Sequence, residues 1–242
     1  DKVYVTKMNK AVALFEIGRI FLPKALPLTE DPAERQLLTA VLSGSRKALN
    51  WCDDKGNVDF YDMKGIVEGL LEAMQVSDYT MTRSQQPYLH PGKSCDIVVN
   101  GEVIGSFGEV HPVVQENFEL DQVTYVLEMA VEPLVASATA VPLYKHLPKF
   151  PSMSRDIAVV VPAEVTNAEL EQVIRAHAGE LLQGVRVFDI YTGKQVAAGC
   201  KSMAFNLTYQ AADRTLTDAE VDASMKKVIA EVAEAYKAKL RD

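Results

Sequence analysis

Ser202-Met203-Ala204-Phe205-Asn206-Leu207-Thr208-Tyr209-Gln210 alternates small or polar residues with large apolar ones at every step. Successive side chains of a strand point to opposite faces. Met203, Phe205, Leu207 and Tyr209 therefore share one face, and Ser202, Ala204, Asn206, Thr208 and Gln210 share the other. The apolar set needs a cover and the polar set does not. This strand accordingly belongs to a sheet with helices on one side and an open face on the other.

The flanking segments supply the cover. Thr166-Asn167-Ala168-Glu169 and Thr217-Asp218-Ala219-Glu220 are capping boxes, in which hydroxyl and carboxylate each satisfy a free helix N–H. Behind the first, Leu170, Val173, Ile174, His177 and Leu181 keep helical spacing; behind the second, Val221, Met225, Val228, Val232 and Tyr236 do. Asp156–Val161 (DIAVVV) and Val185–Thr192 read as strands, and the tail Lys239–Asp242 as an edge strand. The resulting order, βαββα(β), is the ferredoxin-like split βαβ arrangement.

In the strand Val185–Thr192, Phe188 and Ile190 are expected to face the helices. That leaves Asp189 and Tyr191 on the open face, near Ser202 and Asn206. An aromatic plane, a carboxylate, a hydroxyl and an amide then stand together. This combination suits an unpaired nucleobase: a ring contributes roughly 1–3 kcal/mol of stacking per base, and the polar groups read a base edge or a 2′-OH.

Upstream, Ala11–Phe21 reads as a strand with Gly18 as a bulge or close-approach point, and Leu37–Leu42 as a short buried strand. Asp62–Met74 reads as a helix capped by Asp62, with Ile66, Leu70, Leu71 and Met74 on its apolar face. Asp96–Val110 is a hairpin turned by Asn100-Gly101, with Ile97, Val98 and Val99 entering and Val103, Ile104 and Phe107 returning. Thr124–Ala130 is a further strand, and Val135–Pro148, with two prolines, the linker. The reading is an α+β chain of two domains, 1–141 and 142–242.

The net charge of −8 does not suggest a nucleic-acid partner, but it is unevenly spread. Through Val141 there are 12 Lys+Arg against 20 Asp+Glu; from Pro142 onward there are 13 of each. RNA contact in the second half must therefore rest on stacking and shape. No apolar run approaches the roughly 18 residues of a membrane span, and no apolar signal core opens the chain. Cys52, Cys95 and Cys200 form no CxxC pair, which fits a reducing cytosol. His90, His111, His146 and His177 have no metal-ligand spacing, and Asp53-Asp54 reads as a solvated loop. Glycines 101–108 lie in a hairpin, which excludes a dinucleotide fingerprint.

Several runs together carry a resemblance. Phe150–Val161 (FPSMSRDIAVVV), Phe188–Gly193 (FDIYTG), Lys201–Phe205 (KSMAF) and Asp213–Val221 (DRTLTDAEV) resemble, in order, the anticodon-binding domain of phenylalanyl-tRNA synthetase beta subunits. Leu14–Phe21 (LFEIGRIF), Asp59–Gly65 (DFYDMKG), Leu89–Ser94 (LHPGKS) and Gly105–Pro112 (GSFGEVHP) are similar to the preceding region of that subunit.

The resemblance implies a C-terminal fragment of a bacterial-type beta subunit. Its first domain is a class II synthetase-like antiparallel sheet, truncated at its N-terminus, without catalytic residues; the GxGxxR-like run that would hold ATP is absent. That domain is expected to pack against a catalytic alpha subunit in an α2β2 heterotetramer in the cytoplasm. The second domain is expected to bind the tRNA(Phe) anticodon. Tyr191 stacks on the first anticodon base, Asp189 and Ser202 line the pocket, and Arg155 and Lys201 contact phosphates. Asn206 joins them from the face reading. ATP and Mg2+ are expected of the parent enzyme and no cofactor of this fragment. Ferredoxin-like sheets also build small-ligand-sensing and oligomerisation modules, which are the alternative reading.

Overall fold

The structure is a computed structural model that describes residues 11–47, 51, 56–139, 141, 144, 147–193 and 195–241. Cys52, Asp53, Asp54, Pro142 and His146 lie outside the described residues. The chain divides into two compact units, Asp1–Leu143 and Tyr144–Asp242.

Among the described residues, the first unit is built on a six-stranded antiparallel sheet. Its strands are β1 (Ala11–Leu22), β2 (Ala33–Gly44), β3 (Tyr79–Arg83), β4 (Leu89–Val99), β5 (Glu102–Val110) and β6 (Thr124–Ala130), in spatial order β1-β2-β6-β5-β4-β3. Asn100 and Gly101 turn β4 into β5 at φ 52° and 80°, the left-handed pair that a two-residue hairpin needs. Helix α1 (Phe60–Ala73) buries Met63, Val67 and Leu71 against Ile97, Phe107, Leu127 and Met129. The Phe60 ring stacks on Phe107 with centroids 5.4 Å apart. Short helices α2 (Pro112–Asn117) and α3 (Val131–Ser137) follow β5 and β6.

Five expectations are corrected here. Asp59, not Asp62, caps α1; Asp62 sits one turn in and accepts the Asp59 N–H at 2.7 Å. The hydrogen bond from Arg46 then holds the Asp62 carboxyl below its usual range. The buried stripe is rotated, so Ile66 is exposed while Met63 and Val67 are not. Gly18 is no bulge: β1 pairs with β2 in unbroken register from Ala11↔Gly44 to Leu22↔Ala33. The start of the expected linker is helical, since α3 runs to Ser137. β2 is also longer than its apolar core, because its polar first half pairs with β1 just as regularly.

Among the described residues, the second unit has four strands: β7 (Met153–Pro162), β8 (Leu182–Tyr191), β9 (Cys200–Tyr209) and β10 (Lys239–Leu240), in order β10-β7-β9-β8. Helices α4 (Asn167–Ala178) and α5 (Asp218–Tyr236) cover one face. This is a ferredoxin-like fold within an α+β chain. Both capping boxes form. At α4, the Glu169 N–H donates to Thr166 Oγ1 at 3.3 Å, and the Thr166 N–H donates to the Glu169 carboxylate at 2.7 Å. At α5, Glu220 accepts the Thr217 N–H at 3.0 Å. Met203, Phe205, Leu207 and Tyr209 are each at most 1% exposed beneath the helices, as the alternation of β9 requires.

Candidate nucleic-acid interface

The helix-free face of the second unit follows from strand register. β9 pairs on one side with β7 (Val160↔Ser202, Ala158↔Ala204, Asp156↔Asn206) and on the other with β8. Directly paired residues share a face in an antiparallel ladder. Ser202, Ala204, Asn206 and Thr208 therefore lie opposite the buried set, and their partners lie with them.

A bulge decides what β8 adds. Val185 and Val187 pair with Leu207 and Phe205 and pack into the helix-side core. Uninterrupted alternation from Val187 would then turn Asp189 and Tyr191 toward the helices. The ladder instead slips between Val187 and Asp189, and Phe188 is the extra residue. Past the slip, Asp189 faces Ala204 and Tyr191 faces Ser202, both on the open face. Bulges commonly re-aim side chains in this way near working surfaces.

The inward direction expected of Phe188 is thus corrected, and neither it nor Ile190 is covered. Each is 52% exposed. Phe188 is the bulged residue. Ile190 pairs with Met203 and so has the helix-side direction, but the helices leave it uncovered.

The expected site residues separate into two groups. Tyr191, Asp189, Ser202 and Asn206 are brought to one face. Arg155 and Lys201 are not: they pair with Leu207 and Val161, on the helix side of the sheet. Arg155 is committed there to Asp218 and Asp222 of α5, and the hydrogen bond it donates to Asp218 raises its already high pKa further. Register thus sets these two phosphate candidates on the other side of the sheet from Tyr191.

The open face is also less bare than the sequence suggests. Ser202 is only 3% exposed, so its hydroxyl is not offered to bulk solvent. The Tyr191 ring is half-buried, and the Arg241 guanidinium carbon lies over it, 4.6 Å from the centroid. Arg241 arrives from the tail. Its N–H donates to the Ala158 carbonyl at 2.9 Å, extending the β10–β7 pairing, and its guanidinium donates to Gln195 Oε1 at 3.0 Å. Asn206 donates to Asp156 Oδ1 at 2.7 Å. Asp189 is exposed at the edge of the face, and Arg186, opposite Asn206, is exposed too.

Sequence reasoning missed Arg186 and Arg241. Arg186 was legible once the bulge is known, because it precedes the slip and shares the parity of Asn206. Arg241 was not, since only the tail's pairing with β7 carries it to a ring in β8. Among the described residues, no three His, Cys, Asp or Glu side chains cluster as a metal site would need. His90 and His111 instead accept backbone N–H groups of Gly92 and Val113, at 3.0 and 3.2 Å. No described helix is long and apolar enough to cross a membrane.

Comparison with known proteins fits this geometry. Residues 5–131 match the family model described as the phenylalanyl tRNA synthetase beta chain CLM domain. Residues 148–241 match the ferredoxin-fold anticodon binding domain. The phenylalanine–tRNA ligase beta subunit of Shouchella clausii is 41% identical over 98% of this chain and 29% of its own length. That of Bacillus subtilis is 39% identical with the same coverages. The chain thus spans under a third of the length of these relatives. A solved pyrrolysyl-tRNA synthetase from Desulfitobacterium hafniense superposes at TM-score 0.40 and 14% identity, over 55% of this chain and 45% of that one, a likeness too slight to bear on function.

Proposed function

Because this chain belongs to the phenylalanyl-tRNA synthetase beta-subunit family, we propose that its second unit reads the anticodon of tRNA(Phe), with Tyr191 as the stacking platform. The observation that carries this reading is the slip at Phe188, which turns an aromatic ring and the Asp189 carboxylate together onto the helix-free face. A flat ring accepts any base, whereas a carboxylate accepts only from base N–H donors. Stacking therefore supplies affinity and Asp189 discrimination. Asn206, already bonded to Asp156, has a further amide N–H for a base edge or ribose hydroxyl. Arg186 and Arg241 give the face the positive charge that its neutral domain otherwise lacks.

The first unit serves as a scaffold. Leu14, Phe15, Ile17 and Phe21 of edge strand β1 are 58%, 77%, 58% and 57% exposed, more apolar surface than a free edge ordinarily shows. The occupant we assign is the catalytic alpha subunit, within an α2β2 enzyme of the cytoplasm. ATP- and Mg2+-dependent attachment of phenylalanine to tRNA belongs to that subunit.

Titration of this chain with a phenylalanine anticodon stem–loop and with one altered at the first anticodon base tests the reading. Tighter binding of the cognate loop supports it; equal binding of both removes it.

A further inference from the structure

Gly193 follows Tyr191 by two residues, and its backbone does not account for it, since its φ lies outside the left-handed region. Nearby Gly199 is the opposite case: φ is 80° and a side chain there would meet nothing within 4 Å. At Gly193 the constraint is space. A Cβ would fall on the Oη and Cζ of Tyr191 and lie 2.7 Å from its Cε2. The phenol end of Tyr191 occupies the volume that any other residue would fill.

We propose that Gly193 is a positioning residue for Tyr191: its missing side chain is the niche that fixes the ring on the open face. This rests on the reading of Tyr191 as the stacking platform. A tyrosine on a solvated sheet is free to change rotamer, and this one is held at two points. The phenol sits in the Gly193 niche, and the Arg241 guanidinium lies over the ring at 4.6 Å. A ring fixed before binding loses less rotamer freedom when a base arrives.

The niche is also separable from the fold. A methyl at position 193 would strike the end of a surface side chain, which can swing away. Gly193→Ala should therefore leave the hydrophobic core intact and move only the ring.

The test uses the full chain with Gly193→Ala, Tyr191→Ala and the double variant, read three ways: melting temperature, NMR cross-peaks between the Tyr191 ring and the Arg241 side chain, and affinity for the anticodon stem–loop. Gly193→Ala should melt as the parent does, lose the cross-peaks, and weaken binding about tenfold or more, close to Tyr191→Ala. The double variant should bind no more weakly than Tyr191→Ala. Retained cross-peaks in Gly193→Ala would overturn the proposal, as would affinity equal to the parent while Tyr191→Ala is weakened. If Tyr191→Ala itself binds like the parent, the stacking reading falls, and the cross-peaks still decide whether Gly193 positions the ring.

Discussion

The guanidinium of Arg241 lies over the Tyr191 ring, 4.6 Å from its centroid, although the two residues belong to opposite edges of the second sheet. The ring quadrupole attracts a cation at that distance, so the guanidinium covers that face of the ring. Tyr191→Ala should raise the dissociation constant for the anticodon stem–loop roughly 5- to 150-fold, the equivalent of about 1–3 kcal/mol of stacking. Tyr191→Phe keeps the ring and should stay within about threefold of the parent. Fluorescence titration checks both. A loss as large in Tyr191→Phe as in Tyr191→Ala would assign the effect to the hydroxyl instead.

Arg155 makes the contrasting case. It lies on the helix side of the sheet and pairs with Asp218 and Asp222, so its charge is spent within the fold. Arg155→Ala should leave stem–loop affinity within about twofold of the parent, with an unchanged salt slope. It should lower the melting temperature slightly, as exposed ion pairs contribute little. A salt slope reduced by about one phosphate contact would return Arg155 to the interface.

Glu220 sets an acid limit on the second unit. The Thr217 N–H and then Arg214 stabilise its carboxylate, which takes its pKa down to about 2 from the ordinary 4.5 of a glutamate. A carboxyl whose folded pKa is depressed stabilises fully above its unfolded pKa and ceases to do so as pH falls through the folded one. The advantage of the parent over Glu220→Gln should therefore be constant near neutrality and fade between these two values. Thermal melts of both proteins from pH 7 down to 2 check this. A gap that stays constant to pH 2 would exclude the ionised cap as its source.

How much of this was legible depended on whether alternation ran unbroken. β9 does run unbroken, and Met203 to Tyr209 bury as the sequence says. The capping boxes at Thr166 and Thr217 are local chemistry and needed no tertiary knowledge. β8 was misread at Phe188 because a bulge has no required residue type, and an apolar residue there looks like core. Asp189 and Tyr191 were placed on the correct face by alternation that holds at Ile190 and fails at Phe188, since β8 has its inward residues at Val185 and Val187 before the slip. In β1, apolar residues predict burial, but as the sheet's outer strand it leaves Phe15 77% exposed. Sequence reports the wish of such a side chain to be covered and not what covers it.

Lys93, Glu109 and Tyr125 form a polar knot in the first unit that separates pairing from desolvation. The Glu109 side chain is 8% exposed, and its Oε2 accepts from Lys93 Nζ at 2.6 Å and from Tyr125 Oη at 3.3 Å. Burial, then the Glu109 charge, pushes the Tyr125 phenol up to about 12. A raised folded pKa on a group that is neutral when protonated stabilises below its unfolded value of 10.0, and that contribution is lost as pH climbs toward 12. Lys93→Met removes the only cation bonded to Glu109 among the described residues and leaves the carboxylate buried. The cost should be about 1–3 kcal/mol. Adding Glu109→Gln removes the stranded charge, so the double variant should be more stable than Lys93→Met alone, because a buried carboxylate left without its cation costs more than a neutral amide in its place. Urea denaturation of the four proteins of this cycle gives the coupling directly. A double variant less stable than Lys93→Met would mean that Glu109 is held by Tyr125 and solvent, with Lys93 incidental.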